Sequence, residues 1–284
     1  MTNAKIVVVT NGNYFARLIL ERLFLDHTAQ VAGVVLVKGD YGGRTGFRSL
    51  WQVGKRTAFP YTVYKVVQYL MFRIAQKRHQ DAWLEVAPMA QTLNIPFIEV
   101  TRVNCQEVYE YLSARQPTVG LSVSCPQRIR TKILGLPTHG FLNIHSSLLP
   151  KYAGLAPYFW VLAEDQKETG TTVHYMTEQL DEGNILVQRR IPIPQGISAF
   201  WLFRELSQLG RDALVEAVHL ALQGELGIPQ DLSLRSYRSH PSWRAYCSLR
   251  RNGFVLARLH ELRMAIQETL RQSRETLVPR AERP

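Results

Sequence analysis

Apolar residues along this 284-residue chain recur in two rhythms: short unbroken runs of strand length, and longer stretches in which they return every three or four positions. Lys5 to Thr10 (KIVVVT) is a run of the first kind. It ends in Asn11-Gly12-Asn13, a turn sequence, before helical spacing sets in from Phe15 to Phe24. Gln30 to Val37 predicts a second buried strand. Ile95 to Val100, Thr118 to Val123, the stretch FLNIHSS beginning at Phe141, Thr171 to Met176 and Ile185 to Ile193 complete the predicted strands. Between them lie helical patterns: a helix through Ala114 that Asn104 could cap, another over Ala156 to Ala163, and a long one over Phe200 to Leu222. Strands alternating with helices predict an α/β, Rossmann-like fold, a mostly parallel sheet with flanking helices and right-handed crossovers.

Two regions break the alternation. Over Lys38 to Val86, Gly42, Gly43 and Gly46 predict a flexible loop, and Phe59 to Ala75 (FPYTVYKVVQYLMFRIA) is apolar and aromatic but interrupted by Lys65, Gln68 and Arg73. That stretch is too short and too charged for a transmembrane segment. It can pack on its own domain, or, with Lys77 and Arg78 beside it, form an interfacial or partner-docking face. The alternation closes near Gly227-Ile228-Pro229. The expected organisation is a main domain over 1–229 carrying the 38–86 insertion, then a basic, helical extension over 230–284.

Apolar residues at 46% and charged residues at 20% exclude bulk disorder. Three cysteines with no C-x-x-C pair suggest neither a disulfide framework nor a zinc knuckle, and the N-terminus lacks a basic-then-apolar signal pattern, so a reducing cytoplasm is the expected compartment. The net charge of +11 is concentrated late: from Asp231 onward 11 arginines face 5 acids, and 11 minus 5 leaves +6 there. A basic segment of this kind attracts RNA or an anionic surface, unless it is simply a solvated helix.

Within FLNIHSSLLP, residues 141–150, Asn143 and His145 are two apart and so share one face of a strand. Ligands of open α/β sheets bind beyond the carboxyl ends of the strands, and Pro150 and Gly154 show the chain leaving the strand soon after His145. An imidazole in acid–base work needs a partner, and Asp181 in QLDEGNIL, in a turn to which Gly183 lends flexibility, is the candidate. Spacing alone leaves open a structural alternative, with Asn143 capping a loop and His145 a satisfied core histidine.

The run NIHSSLLPKYAGLAPYFWVLAEDQKETGTTVHYMTEQLDEGNIL resembles the signature of the folate-dependent formyltransferases, with N-x-H, S-L-L-P, a glycine, E-T-G-x-T-x-H and L-D-x-G in order. The likeness is strong from about Thr118 to Ala221, recognisable over Lys5 to Val37, and poor in the 38–86 insertion and after Pro229. The resemblance implies transfer of a formyl group from 10-formyltetrahydrofolate, without a metal, to a primary amine, with Asn143, His145 and Asp181 as the catalytic residues. The Asn143 amide and a protonated His145 would stabilise charge on the formyl oxygen, each such donor being worth roughly 3 kcal/mol. Asp181 would hold the imidazolium and help move the amine proton. The likeness also places Arg128, Ile129 and Arg130 along the pterin pocket, unless that stretch is a solvated arginine turn, and Ser147, Leu148 and Pro150 in a covering loop. His174 is read as structural.

The family shares its donor but not its acceptor. With one glycine, TNGNYFAR lacks the phosphate-cradling loop of the glycinamide ribonucleotide enzymes and looks more like the turn of methionyl-tRNA formyltransferases. Yet only 55 residues follow Pro229, and they look helical rather than like the expected RNA-binding barrel. The amine therefore stays open among aminoacyl-tRNA, amino-sugar and other small amines. A hydrolase using water, or a non-catalytic folate binder, would carry the same residues.

Overall fold

A computed structural model describes residues 4–40, 45, 54 and 56–277. The expected loop glycines Gly42, Gly43 and Gly46 lie outside the described residues. The strands are β1 Ile6–Thr10, β2 Val31–Val37, β3 Phe97–Val100, β4 Val119–Val123, β5 Phe141–His145, β6 Ala153–Gly154, β7 Glu168–Tyr175, β8 Ile185–Pro192 and β9 Tyr237–Arg238. The helices used below are α1 Tyr14–Asp26, α2 Phe59–Arg78, α3 Val86–Thr92, α4 Gln106–Ser113, α5 Pro157–Ala163, α6 Ala199–Leu222, α7 Trp243–Arg251 and α8 Leu259–Leu277.

Seven strands form one sheet in the order β3-β2-β1-β4-β5-β7-β8. The first five are parallel, and β7 and β8 join antiparallel. The order reverses direction between β1 and β4, so a crevice opens beyond their carboxyl ends. The unbroken apolar runs follow from burial on both faces. In β1, Ile6 and Val8 enter the cluster that also takes in residues of α1, α3 and α6, while Val7 and Val9 enter the opposite cluster with residues of α4. Burying each such side chain contributes on the order of 1.5–3 kcal/mol. Asn13 opens α1 by accepting from Ala16 N at 3.0 Å, and Ser198 does the same for α6 from Trp201 N at 3.0 Å.

Asn104 does not cap α4. Cys105 stands at the cap without a side-chain bond, and Asn104 instead reaches across to the 128–130 loop, donating to Arg128 O at 2.7 Å and accepting from Arg130 N at 2.9 Å. A distant loop outcompetes the local cap because it offers the amide both an acceptor and a donor.

A third cluster joins the two regions that broke the alternation. Tyr61, Tyr64 and Phe72 of α2 pack with Phe159 of α5, Phe200 of α6, and Leu249, Phe254, Leu262 and Ala265 from the end of the chain. Lys65 points into this cluster, its Nζ 5.1–5.9 Å from the ring centres of five aromatic residues. Burial pushes its pKa down to about 8. Among the described residues after 229, two helices, α7 and α8, predominate, joined by strand β9 and irregular segments, and they pack closely: β9 pairs with β6, and Ser273 accepts from Trp83 N at 2.9 Å.

Candidate functional site

Four strand ends and one late segment enclose a cleft of about 530 Å³, within the usual range for a small-molecule site. Asn143 and His145 line it from β5, His174 from β7 and Asp181 from the turn after β7. Asn143 faces His174 across the β5–β7 ladder.

The hydrogen bonds settle the orientation of each group. His174 Nδ1 is 2.8 Å from the Tyr175 carbonyl, so it carries the proton and donates. Nε2 therefore presents a lone pair, which accepts from Asn143 Nδ2 at 3.2 Å. This orients the Asn143 amide and leaves its second N–H for the cleft. Burial lowers the His174 pKa to about 4, against the raising effect of Asp181. His145 Nε2 lies 2.8 Å from the Tyr152 carbonyl, so its N–H donates there and Nδ1 is left on the side of Asp181. Asp181 stands between the two imidazoles, Oδ2 at 3.8 Å from His145 Nδ1 and Oδ1 at 3.8 Å from His174 Nε2. At that distance the carboxylate acts on the rings as a charge rather than as a hydrogen-bond acceptor. Its Oδ2 accepts from Gly154 N at 2.8 Å.

The turn that presents Asp181 is built differently from the sequence expectation. Asp181 itself adopts the left-handed conformation, at φ 58°, and Gly183 does not. Gly183 is required for close approach, since a Cβ there would sit 2.0 Å from the Tyr175 carbonyl oxygen. Gln230 clamps the turn by donating to the Asp181 and Gly183 carbonyls at 3.0 and 2.7 Å. We expect Gly183→Ala to lower unfolding stability by about 1–3 kcal/mol through overpacking, read as a reduced denaturant midpoint.

The buried neutral His174 makes stability depend on pH. Its folded pKa is depressed below 6.5, so the unfolded chain binds a proton that the folded chain excludes. The contribution is complete above about pH 6.5 and is lost as pH falls towards about 4. Denaturant melts at about pH 7 and about pH 5 should show this loss, and His174→Gln should flatten it.

Arg128 and Ile129 line the cleft, whereas Arg130 faces an adjoining depression with Asn104, Thr131 and Glu178. Ser147, Leu148 and Pro150 do not line the cleft; they fasten their loop to its neighbours. The Ser147 hydroxyl donates to Lys151 O at 2.9 Å, Leu148 lies over Gly170, where an added Cβ would come within 2.5 Å of its Cδ2, and the Pro150 carbonyl accepts from Ser236 N at 3.3 Å. Among the contributors that the sequence reading missed are His174, Arg56, Tyr237 and His240. His174 touches Asn143, although T-x-H on a strand already put its side chain on a defined face. Arg56, Tyr237 and His240 also line the cleft, from segments whose spacing carries no signal of it. Among the described residues no group of three or more His, Cys, Asp or Glu could hold a metal ion.

Comparison with known proteins gives a consistent result. The profile of the formyl transferase family matches residues 4–218. The methionyl-tRNA formyltransferase of Geobacter sulfurreducens is 38% identical over 153 residues, 54% of this chain and 48% of that protein. That of Halalkalibacterium halodurans is 34% identical over 149 residues, 52% of this chain and 47% of that protein. The chain thus spans about half the length of the curated relatives it matches. Among solved structures, an N-formyltransferase from Helicobacter canadensis in complex with folinic acid and dTDP-3-aminofucose superposes with a TM-score of 0.56 at 19% identity, covering 83% of this chain and 71% of that one. Glycinamide ribonucleotide transformylase 1 from Symbiobacterium toebii gives 0.54 at 20% identity, covering 78% of this chain and 89% of that one. These likenesses establish the shared fold, and the family match over residues 4–218 establishes kinship: the chain belongs to the folate-dependent formyltransferase family.

Proposed function

We propose that this protein transfers a formyl group from 10-formyltetrahydrofolate to a primary amine, with Asn143, His145 and Asp181 as its catalytic residues, in the cytoplasm. The observation that carries the reading is the convergence of Asp181 with His145 and, through His174, with Asn143 beside one cleft. In this reading the free N–H of Asn143 and the Nδ1–H of protonated His145 bind the formyl oxygen as negative charge grows on it. Asp181, fixed by Gly154 N, offsets the charge of the imidazolium and helps pass the amine proton through water to the departing folate nitrogen, as the bond from that nitrogen to the formyl carbon breaks. Arg128 and Ile129 would flank the donor; the cleft's volume and its mixed polar and apolar lining fit a ligand of that size. Residues 1–229 would form the catalytic unit, with Gln230, Tyr237 and His240 from the following segment completing the turn and the wall.

The test is release of tetrahydrofolate from 10-formyltetrahydrofolate by the purified chain, with and without candidate amines: methionyl-tRNA, a nucleotide-linked amino-sugar and glycinamide ribonucleotide. Amine-dependent release supports transfer. Release that needs no amine assigns a hydrolase, and folate binding without release under any condition assigns a non-catalytic binder.

A further inference from the structure

Helix α2 carries two apolar faces where a surface helix normally has one. Tyr61, Tyr64 and Phe72 occupy the buried face. Opposite them Phe59, Val63, Val67, Leu70 and Ile74 fall within an arc of about 80° at 100° per residue. These five side chains are 41% to 74% exposed, and none of them belongs to the buried clusters. The stripe continues into a groove of about 360 Å³, where Val63 and Val67 meet Tyr246, Leu259, Arg250 and Arg258.

Positive charge predominates around the stripe, and the buried Glu261 carboxylate is paired with Arg258 at 2.8 Å. Helices α2 and α7 contain no acidic residue, and Arg73, Lys77, Arg78, Arg244, Arg250 and Arg251 are all exposed. Among the described residues no helix is long and apolar enough to cross a membrane. An apolar stripe rimmed by arginine and lysine on a helix that lies along the surface fits the boundary between acyl chains and anionic headgroups. We propose that this face docks the protein peripherally on an anionic lipid bilayer, the stripe entering the acyl boundary and the basic rim meeting headgroup phosphates. A second copy would set two cationic rims against each other. RNA would satisfy the arginines but leave the five apolar side chains in water. Phe59 begins the stripe three residues after Arg56, which lines the cleft, so the docking face starts at the cleft's rim.

The experiment is sedimentation of the full chain with vesicles of phosphatidylcholine alone or with about 30 mol% phosphatidylglycerol. Binding is expected to be about tenfold or more tighter to the anionic vesicles at low salt. The exposed pair Leu70→Glu with Ile74→Glu should reduce it about tenfold or more, with the melting temperature and solution turnover unchanged. Arg250→Glu with Arg251→Glu should abolish the preference for anionic lipid. The proposal is overturned by any of four results: no binding to anionic vesicles, binding that survives the Leu70 and Ile74 substitutions, a concentration-dependent dimer that those substitutions disperse, or tRNA that displaces the protein from vesicles.

Discussion

Replacing His145 by alanine is expected to lower formyl-transfer turnover about 10²–10⁴-fold, the range of a positioned acid–base group. The ring sits 7% exposed with Nε2 committed to the Tyr152 carbonyl, so only Nδ1 is free to work, and it faces both the cleft and Asp181. The substitution leaves the Tyr152 carbonyl without this donor and opens a small void, together costing about 1–3 kcal/mol. Loss of activity should therefore greatly exceed loss of fold. Steady-state rates on a thermally folded variant provide the check. Turnover within about threefold of the wild type would remove His145 from the chemistry.

Asp181→Asn is expected to cut turnover on the order of 10²-fold while the protein stays folded. The substitution separates charge from shape. Asparagine keeps the volume and can still accept from Gly154 N, the 2.8 Å bond that ties the turn to β6. It cannot offset a charged His145, and no other acid forms an ion pair with that ring among the described residues. Asp181→Ala removes the acceptor as well, and an unmet buried N–H costs about 1–3 kcal/mol. The pair of variants should therefore share a low rate and differ in melting temperature. An asparagine variant as fast as the wild type would show that the carboxylate serves the turn and not the reaction.

The His174 contacts alter how the site is understood. Read from sequence it is one histidine among eight. In the fold it is 1% exposed, neutral at neutral pH, and bonded so that Asn143 can point its amide only one way. The preference has an electrostatic origin: the Tyr175 carbonyl takes the Nδ1 proton, and the lone pair left on Nε2 repels the Asn143 oxygen and attracts its nitrogen.

Much of the fold was legible because its signals are local. The strands at Ile6–Thr10, Val31–Val37 and Val119–Val123 are continuous apolar runs because both faces of a central parallel strand are covered. Asn143 and His145 could be assigned to one face because alternation along a strand needs only adjacent residues. Tertiary structure alone decided the rest. β9 pairs with β6 over two residues each, 84 positions apart, so no periodicity could reveal Tyr237 or His240 as cleft walls. Asn104 abandoned its cap for a loop 24 and 26 residues away, a competition that sequence spacing does not encode. Likewise the aromatic face of α2 turned inward around Lys65 because α5, α6, α7 and α8 supplied partners for it, leaving the second apolar stripe outside. Periodicity thus determined which faces were apolar and which residue types were available for chemistry. Only folding chose what each face met, because that choice is a comparison of contacts between segments far apart in the chain.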